Sequence, residues 1–205
     1  MDFGLSLLVF FLMWPVFLVI SLLVKISSLG PVLFRQKRTG KNGSVFTLYK
    51  FRTMKKNAHK LQKKYLYLNE ADGPVFKIRD DPRFVNGLGK FLARSGLDEL
   101  PNIFNVLKGD LSLVGPRPLP LDEAKKIPTK IKKIRESVLP GITSLWVVSG
   151  THDLSFSQWM KLDLQYTESV NFSQDLKILI QTLILCLRLI KTFICQIFSQ
   201  SQARK

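Results

Sequence analysis

Asp98 and Glu99 are adjacent carboxylates, and Arg117 follows them between two prolines, in Gly115-Pro116-Arg117-Pro118. Proline fixes its own φ and biases the residue before it towards extended backbone, so Arg117 sits in a stiff loop. A guanidinium held this way suits phosphate, because its planar fork donates two parallel hydrogen bonds. Carboxylates with a pinned arginine downstream point to phosphoryl chemistry. A plainer role competes with this one. Asp98 would serve equally as a helix N-cap with Pro101 in the first turn, or the pair as a solvated surface. Leu100, Ile103, Phe104 and Leu107 fall at helical spacing after the pair, and Gly109 is a stop signal.

The elements that position these residues start with an apolar run. Phe3 to Val24 carries no charge. As a helix it measures about 33 Å, enough to span a bilayer. A cleaved signal peptide fits poorly, since no Lys or Arg precedes the run and no small-residue cleavage site follows it. Pro15, after Trp14, predicts a kink or break. The helix then either spans with a kink or turns back to the leaflet it came from. Periodicity does not choose, and proline alone leans towards a kinked span, because membrane helices tolerate it. The cations that follow (Lys25, Arg35, Lys37, Arg38, Lys41) put that side in the cytoplasm.

Gly30 to Met54 predicts a β-hairpin turning at Gly40-Lys41-Asn42-Gly43. Its interleaved cations and aromatics either grip phosphates or headgroups, or form a solvated face. Lys55 to Lys64 predicts a basic helix with a solvated His59. Leu119 to Val138 predicts an amphipathic basic helix, lying on an anionic surface or ordinary, with Pro128 an early break. Leu145 to Gly150 reads as a short strand or loop. Phe156 to Tyr166 reads as a helix with Phe156, Trp159, Met160, Leu162 and Tyr166 on its core or interface face. In Leu176 to Phe198, Lys177, Arg188 and Lys191 fall within about 60° of one another, a basic stripe that favours lying in the membrane interface.

Composition narrows the partners. The 205-residue chain is 46% hydrophobic, so it can bury a core, and its net charge of +16 calls for an acidic partner. No nucleic-acid motif appears, and the apolar segments make lipid the better match. Cys186 and Cys195 offer no disulfide or zinc framework, and His59 and His152 have no metal-ligand partner at useful spacing.

The ordered motifs resemble the bacterial sugar transferase family, the small monotopic phosphoglycosyl transferases. The resemblance is carried by the apolar segment with Pro15, Arg35-Gln36…Arg38…Gly40 and Tyr49-Lys50-Phe51-Arg52-Thr53-Met54. It continues through Gly73-Pro74-Val75-Phe76-Lys77, Asp81-Pro82-Arg83 and Leu97-Asp98-Glu99-Leu100-Pro101. It closes with Asn105 to Ser112, Val114 to Pro118, Pro140-Gly141-Ile142-Thr143 and Leu162-Asp163…Tyr166. What it implies is an α+β fold: a small, mostly helical cytoplasmic domain with a short β-hairpin. A proline-broken re-entrant helix (residues 1–29) and amphipathic interfacial helices seat it on the bacterial inner membrane. The catalytic domain covers residues 30–198, including the C-terminal interfacial helix, and 199–205 is a polar basic tail.

The implied reaction moves a sugar-1-phosphate from a UDP-sugar to polyprenol phosphate, giving polyprenyl-diphosphate-sugar and UMP, at the start of surface-glycan assembly. Asp98 is the implied nucleophile, ionised at neutral pH if unperturbed, and a ligand of Mg²⁺. Glu99 would support Asp98, the metal or a proton transfer. Arg117 would hold the transferred phosphate, with Lys50, Arg52 and Arg94 as further phosphate contacts. A homo-oligomer or glycan-assembly partners are compatible with this reading. Two family residues are absent: a glutamine and an arginine, where Val147 and Thr151 stand. A relative that has lost turnover and binds within an assembly complex is the alternative.

Overall fold

The structure is a computed structural model and describes residues 2–150 and 154–202; Thr151, His152 and the end of the basic tail lie outside the described residues. The apolar run forms one helix, α1 (Asp2–Ser27). The break expected at Pro15 does not interrupt it. Proline removes one N–H from the ladder, and the hydrogen bonds on either side keep both halves helical. α1 is long and apolar enough to cross a bilayer. Yet it packs on the rest of the chain along nearly its whole length. Leu5, Val9, Phe10 and Phe17 meet one hydrophobic core, and Ile20 and Val24 belong to another. Its other sides, including Leu8, Leu12, Trp14, Leu18 and Leu22, are exposed.

The hairpin forms as expected: β1 (Leu33–Thr39) pairs antiparallel with β2 (Val45–Phe51), Arg38 opposite Phe46 and Phe34 opposite Lys50. Asn42 (φ 54°) and Gly43 (φ 77°) turn the chain, residue types that tolerate the left-handed region. Side chains alternate across a strand. Phe46, Leu48 and Lys50 therefore share one face with Arg38, while Phe51 turns to the other and meets Phe17 of α1, ring centroids 5.7 Å apart.

The basic run is only partly helical, as α2 (Ala58–Leu61) and a 3₁₀ stretch (Lys63–Leu68). α3 (Asn86–Ser95) leads to a 3₁₀ turn (Leu97–Asn102) and α4 (Ile103–Leu107), and the chain then turns at Gly109 with φ 80°. Next come β3 (Ser112–Val114), α5 (Leu121–Ala124), α6 (Thr129–Arg135) and β4 (Gly141–Thr143). The helix expected over Leu119 to Val138 is thus two short ones, split at Pro128. Its Ile127 and Ile131 pack inward against Trp159 and Met160, so this apolar side faces protein rather than lipid. Leu145 to Gly150 is neither strand nor loop. It forms α7 (Leu145–Val148), whose N-cap Ser144 accepts a hydrogen bond from the Val147 N–H.

α8 (Phe156–Glu168) starts at a capping box, Ser155 with Gln158, and buries Trp159, Met160, Asp163 and Tyr166 at helical spacing. α9 (Phe172–Gln202) is helical past the boundary expected at residue 198. It leaves Leu176, Ile180, Leu183 and Leu187 exposed.

The parallel pair β3–β4 was not expected from the sequence. It joins Ser112 to Gly141 and Val114 to Thr143. Gly141 permits this close approach, since a Cβ there would lie 2.0 Å from the Gly115 nitrogen.

Candidate active site

The turn after α3 delivers the carboxylates. Gly96 takes φ 75°, which ends α3 and opens the 3₁₀ turn. Asp98 therefore sits inside that turn rather than at a helix N-cap. It is only 8% exposed, and Asn102, the last residue of the same turn, is buried as well. The hairpin face brings Lys50 to it: Lys50 Nζ donates to Glu99 Oε1 and lies 3.9 Å from Asp98 Oδ2. From the other side Arg117 Nη1 stands 3.9 Å from the same Glu99 oxygen. Four of the residues named from the sequence, Lys50, Asp98, Glu99 and Arg117, thus meet. Beside them opens a shallow cleft, lined by Lys50, Glu99 and Arg117 together with Arg38, Asn102 and Trp146.

The two carboxyls are driven apart electrostatically. Burial pushes Asp98 up to about 6, with Lys50 pulling it down, Glu99 pushing it up and Arg117 opposing. Asp98 stays largely ionised at pH 7, but less firmly than an unperturbed aspartate. Glu99 is held below its usual range: burial works against ionisation, and Lys50 and Arg117 outweigh it. Glu99 is therefore the fixed anion that orders the two cations. Asp98 is the carboxylate with weaker ties.

The loop carrying Arg117 is held on every side. Gly115 N–H donates to Thr143 O, and Gly141 N–H to Pro116 O. Arg38 Nη1 donates to Pro118 O at 2.9 Å, and Arg135 Nη2 to Arg117 O at 2.9 Å. The Arg117 guanidinium lies 5.7 Å from the Trp146 ring centroid, within cation–π range.

Two named cations are elsewhere. Arg52 is buried and donates to the carbonyls of Ser28 and Leu29, latching β2 to the end of α1. Arg94 lies on the exposed side of α3 and pairs with Asp80 at 2.8 Å. Neither joins the four. Arg38, Asn102 and Trp146 were missed as cleft residues. For Arg38 a signal existed, because the turn at Gly40–Gly43 sets a register that puts it on the face of Lys50. Burial lowers Arg38 to about 10, and neighbouring Arg117 adds to this. Arg38 Nε, Asn102 Oδ1 and Trp146 Nε1 are buried without a protein partner. Such groups cost free energy unless something hydrogen-bonds them, and a polar ligand in the cleft is a natural candidate. Val147 lines the cleft with an apolar side chain where the resemblance implies glutamine.

Among the described residues no three His, Cys, Asp or Glu side chains gather as a metal-ligand set. Mg²⁺ does not require one, because it is commonly held by one or two carboxylates, waters and substrate phosphates. Asp98, whose carboxylate is less tightly paired than that of Glu99, fits such a role.

Comparison with known proteins gives the family. A profile of the bacterial sugar transferase family matches residues 1–189, and the chain belongs to that family. It is 44% identical to the galactosyl transferase CpsE of Streptococcus agalactiae serotype III, over 75% of this chain and 34% of that protein. It is 36% identical to the undecaprenyl-phosphate galactose phosphotransferase of Salmonella typhimurium, over 78% and 34%. To the exopolysaccharide production protein ExoY of Sinorhizobium fredii it is 34% identical, over 89% and 81%. The chain thus spans about a third of the first two relatives and most of the third.

Proposed function

We propose that the chain transfers a sugar-1-phosphate from a UDP-sugar to polyprenol phosphate, releasing UMP. The observation that carries this is the meeting of Asp98, Glu99, Lys50 and Arg117 beside one cleft. An Asp98 oxygen attacks the β-phosphorus of the UDP-sugar. The bond from that phosphorus to the bridging oxygen breaks, and UMP leaves with the electron pair. The phosphosugar is then an acyl phosphate on Asp98. A phosphate oxygen of polyprenol phosphate attacks the same phosphorus, forming the diphosphate and freeing the carboxylate. Two steps with an enzyme nucleophile replace one displacement between two anions.

Lys50 and Arg117 lower the repulsion between Asp98 and the diphosphate, and Arg117 stabilises charge on the transferring phosphoryl group. Glu99 keeps both cations aimed. Bound Mg²⁺, held by Asp98, would neutralise charge on the phosphate oxygens.

The proposed seating of the domain rests on α1. A helix packed on its own domain almost from end to end cannot stand alone across a bilayer. On this reading α1 lies at the membrane surface with its domain, bare apolar side in lipid, a monotopic seating reached without a break at Pro15. The exposed apolar side of α9, with Lys177, Arg188 and Lys191, adds a second interfacial helix. The place of action on this reading is the cytoplasmic face of the bacterial inner membrane.

The test is direct. Detergent-extracted protein, Mg²⁺, polyprenol phosphate and a panel of UDP-sugars should yield UMP. Asp98→Asn should abolish both turnover and a trapped phosphosugar adduct. Folded wild-type protein that releases no UMP from any donor would refute the reaction and favour a binding role. Turnover retained in Asp98→Asn would remove Asp98 as nucleophile.

A further inference from the structure

We infer that α8 is the strut that sets the position of Arg117, and that Asp163, Trp159 and the Arg135 and Trp146 they act through are positioning residues for the site. This rests on the reading of Arg117 as the phosphate-binding arginine.

Three side chains on the buried face of α8, at i, i+4 and i+7, reach the loop by separate routes. Asp163 Oδ2 accepts from Arg135 Nε at 2.9 Å and Nη2 at 2.7 Å, and the same Nη2 donates to Arg117 O. Trp159 packs on Trp146 with ring centroids 5.0 Å apart, and Arg117 lies over Trp146. The Tyr166 hydroxyl, which donates to Asp175 Oδ1 at 2.8 Å, also lies 3.2 Å from Val114 O, just before the loop begins. One helix therefore holds the approach to the loop, the main chain of the arginine and its guanidinium.

The flanking prolines leave much for this strut to do. They restrict φ at Pro116 and Pro118 and bias the backbone of Arg117, but leave its side-chain torsions free. The contact at the Arg117 carbonyl fixes its main chain, and the one over Trp146 limits its side-chain torsions. Stability alone explains the ion pair poorly. A buried ion pair contributes little over well-packed apolar residues of the same volume. Here Arg135 also spends a donor on the one carbonyl that belongs to Arg117.

The test is a double-mutant cycle on the full chain in detergent, reading UMP release with UDP-galactose and UDP-glucose. The paired replacement Asp163→Leu with Arg135→Met, and separately Trp159→Phe, are made in wild-type and Arg117→Ala backgrounds. Thermal unfolding and UDP affinity by calorimetry are measured on all. The inference expects the paired variant to fold, with kcat down tenfold or more and KM changed less than threefold. In the Arg117→Ala background the same replacements should cost less than twofold. A full cost that persists without Arg117, or a folded paired variant with kcat within twofold of wild type, overturns it. If the pair does not fold, Asp163→Glu and Trp159→Phe go through the same cycle and the same outcomes decide. Wild type that binds UDP but releases no UMP from any donor of a UDP-sugar panel refutes the reaction; UDP affinity weakened by the paired replacement in wild type but not in Arg117→Ala then upholds the strut, and any other pattern overturns it. Wild type that does neither overturns both.

Discussion

Lys50 holds two carboxylates of different standing. It donates to Glu99 and lies 3.9 Å from Asp98, and the pair responds in opposite directions, Glu99 down and Asp98 up. On the proposed reaction, that split suits Glu99 to orientation and Asp98 to attack. Arg117→Lys keeps the charge but loses the fork, so kcat for UMP release should fall by about 10²-fold. A rate near wild type would make Arg117 a structural residue. Asp163 gives a test by pH. Burial pushes its carboxyl from 3.8 up to about 6, with Arg135 opposing. Between those values the folded protein binds the proton more tightly than the unfolded chain. This group's contribution to stability is therefore fully present below pH 3.8 and lost as pH rises through 6. From pH 4 to 7, wild type should lose about 2 kcal/mol of unfolding free energy relative to the Asp163→Leu, Arg135→Met variant. Urea unfolding in detergent measures it; parallel curves would mean that Asp163 titrates normally. Asp98, Glu99, Arg117 and Lys50 were legible because they stand within local motifs. Arg135 and Asp163 were not, since nothing local reports a pairing 28 residues apart. Arg52 and Arg94 carry suitable charge, but composition says nothing of the direction in which a side chain leaves its element.

At the scale of elements, short pieces decide the site. The hairpin was readable from its turn and alternation, and α8 from its spacing. β3 and β4 were not, because three residues are too few for a period to show. α7 was misread because Leu145-Trp146-Val147-Val148 is rich in strand-favouring types, whereas Ser144 as a cap determines the outcome. The β3–β4 contact carries its own test. A Cβ on Gly141 would fall 2.0 Å from Gly115 N and 2.5 Å from the Val114 carbonyl carbon, both rigid backbone. Gly141→Ala should destabilise the fold by about 1–3 kcal/mol, seen as a lower thermal midpoint. An unchanged midpoint would show that the two chains can part without cost.

For the whole molecule, the apolar surface is the informative quantity. A soluble protein rarely leaves a contiguous face such as that of α1 bare. Leu8 and Leu12 are 55% and 61% exposed and belong to no core. Leu8→Glu with Leu12→Glu should leave the thermal midpoint unchanged and sharply reduce flotation with anionic vesicles. Undiminished flotation would move the lipid contact to another surface. Within this arrangement Lys50, Phe51 and Arg52 are consecutive. The first reaches the carboxylates, the second packs on Phe17, and the third grips the carbonyls where α1 ends. One tripeptide thus joins the carboxylate site to the end of α1. On the proposed seating, bilayer thickness or lateral pressure that rolls α1 would also drag the cation beside Asp98, making the lipid bath a variable of the kinetics as well as a place to stand.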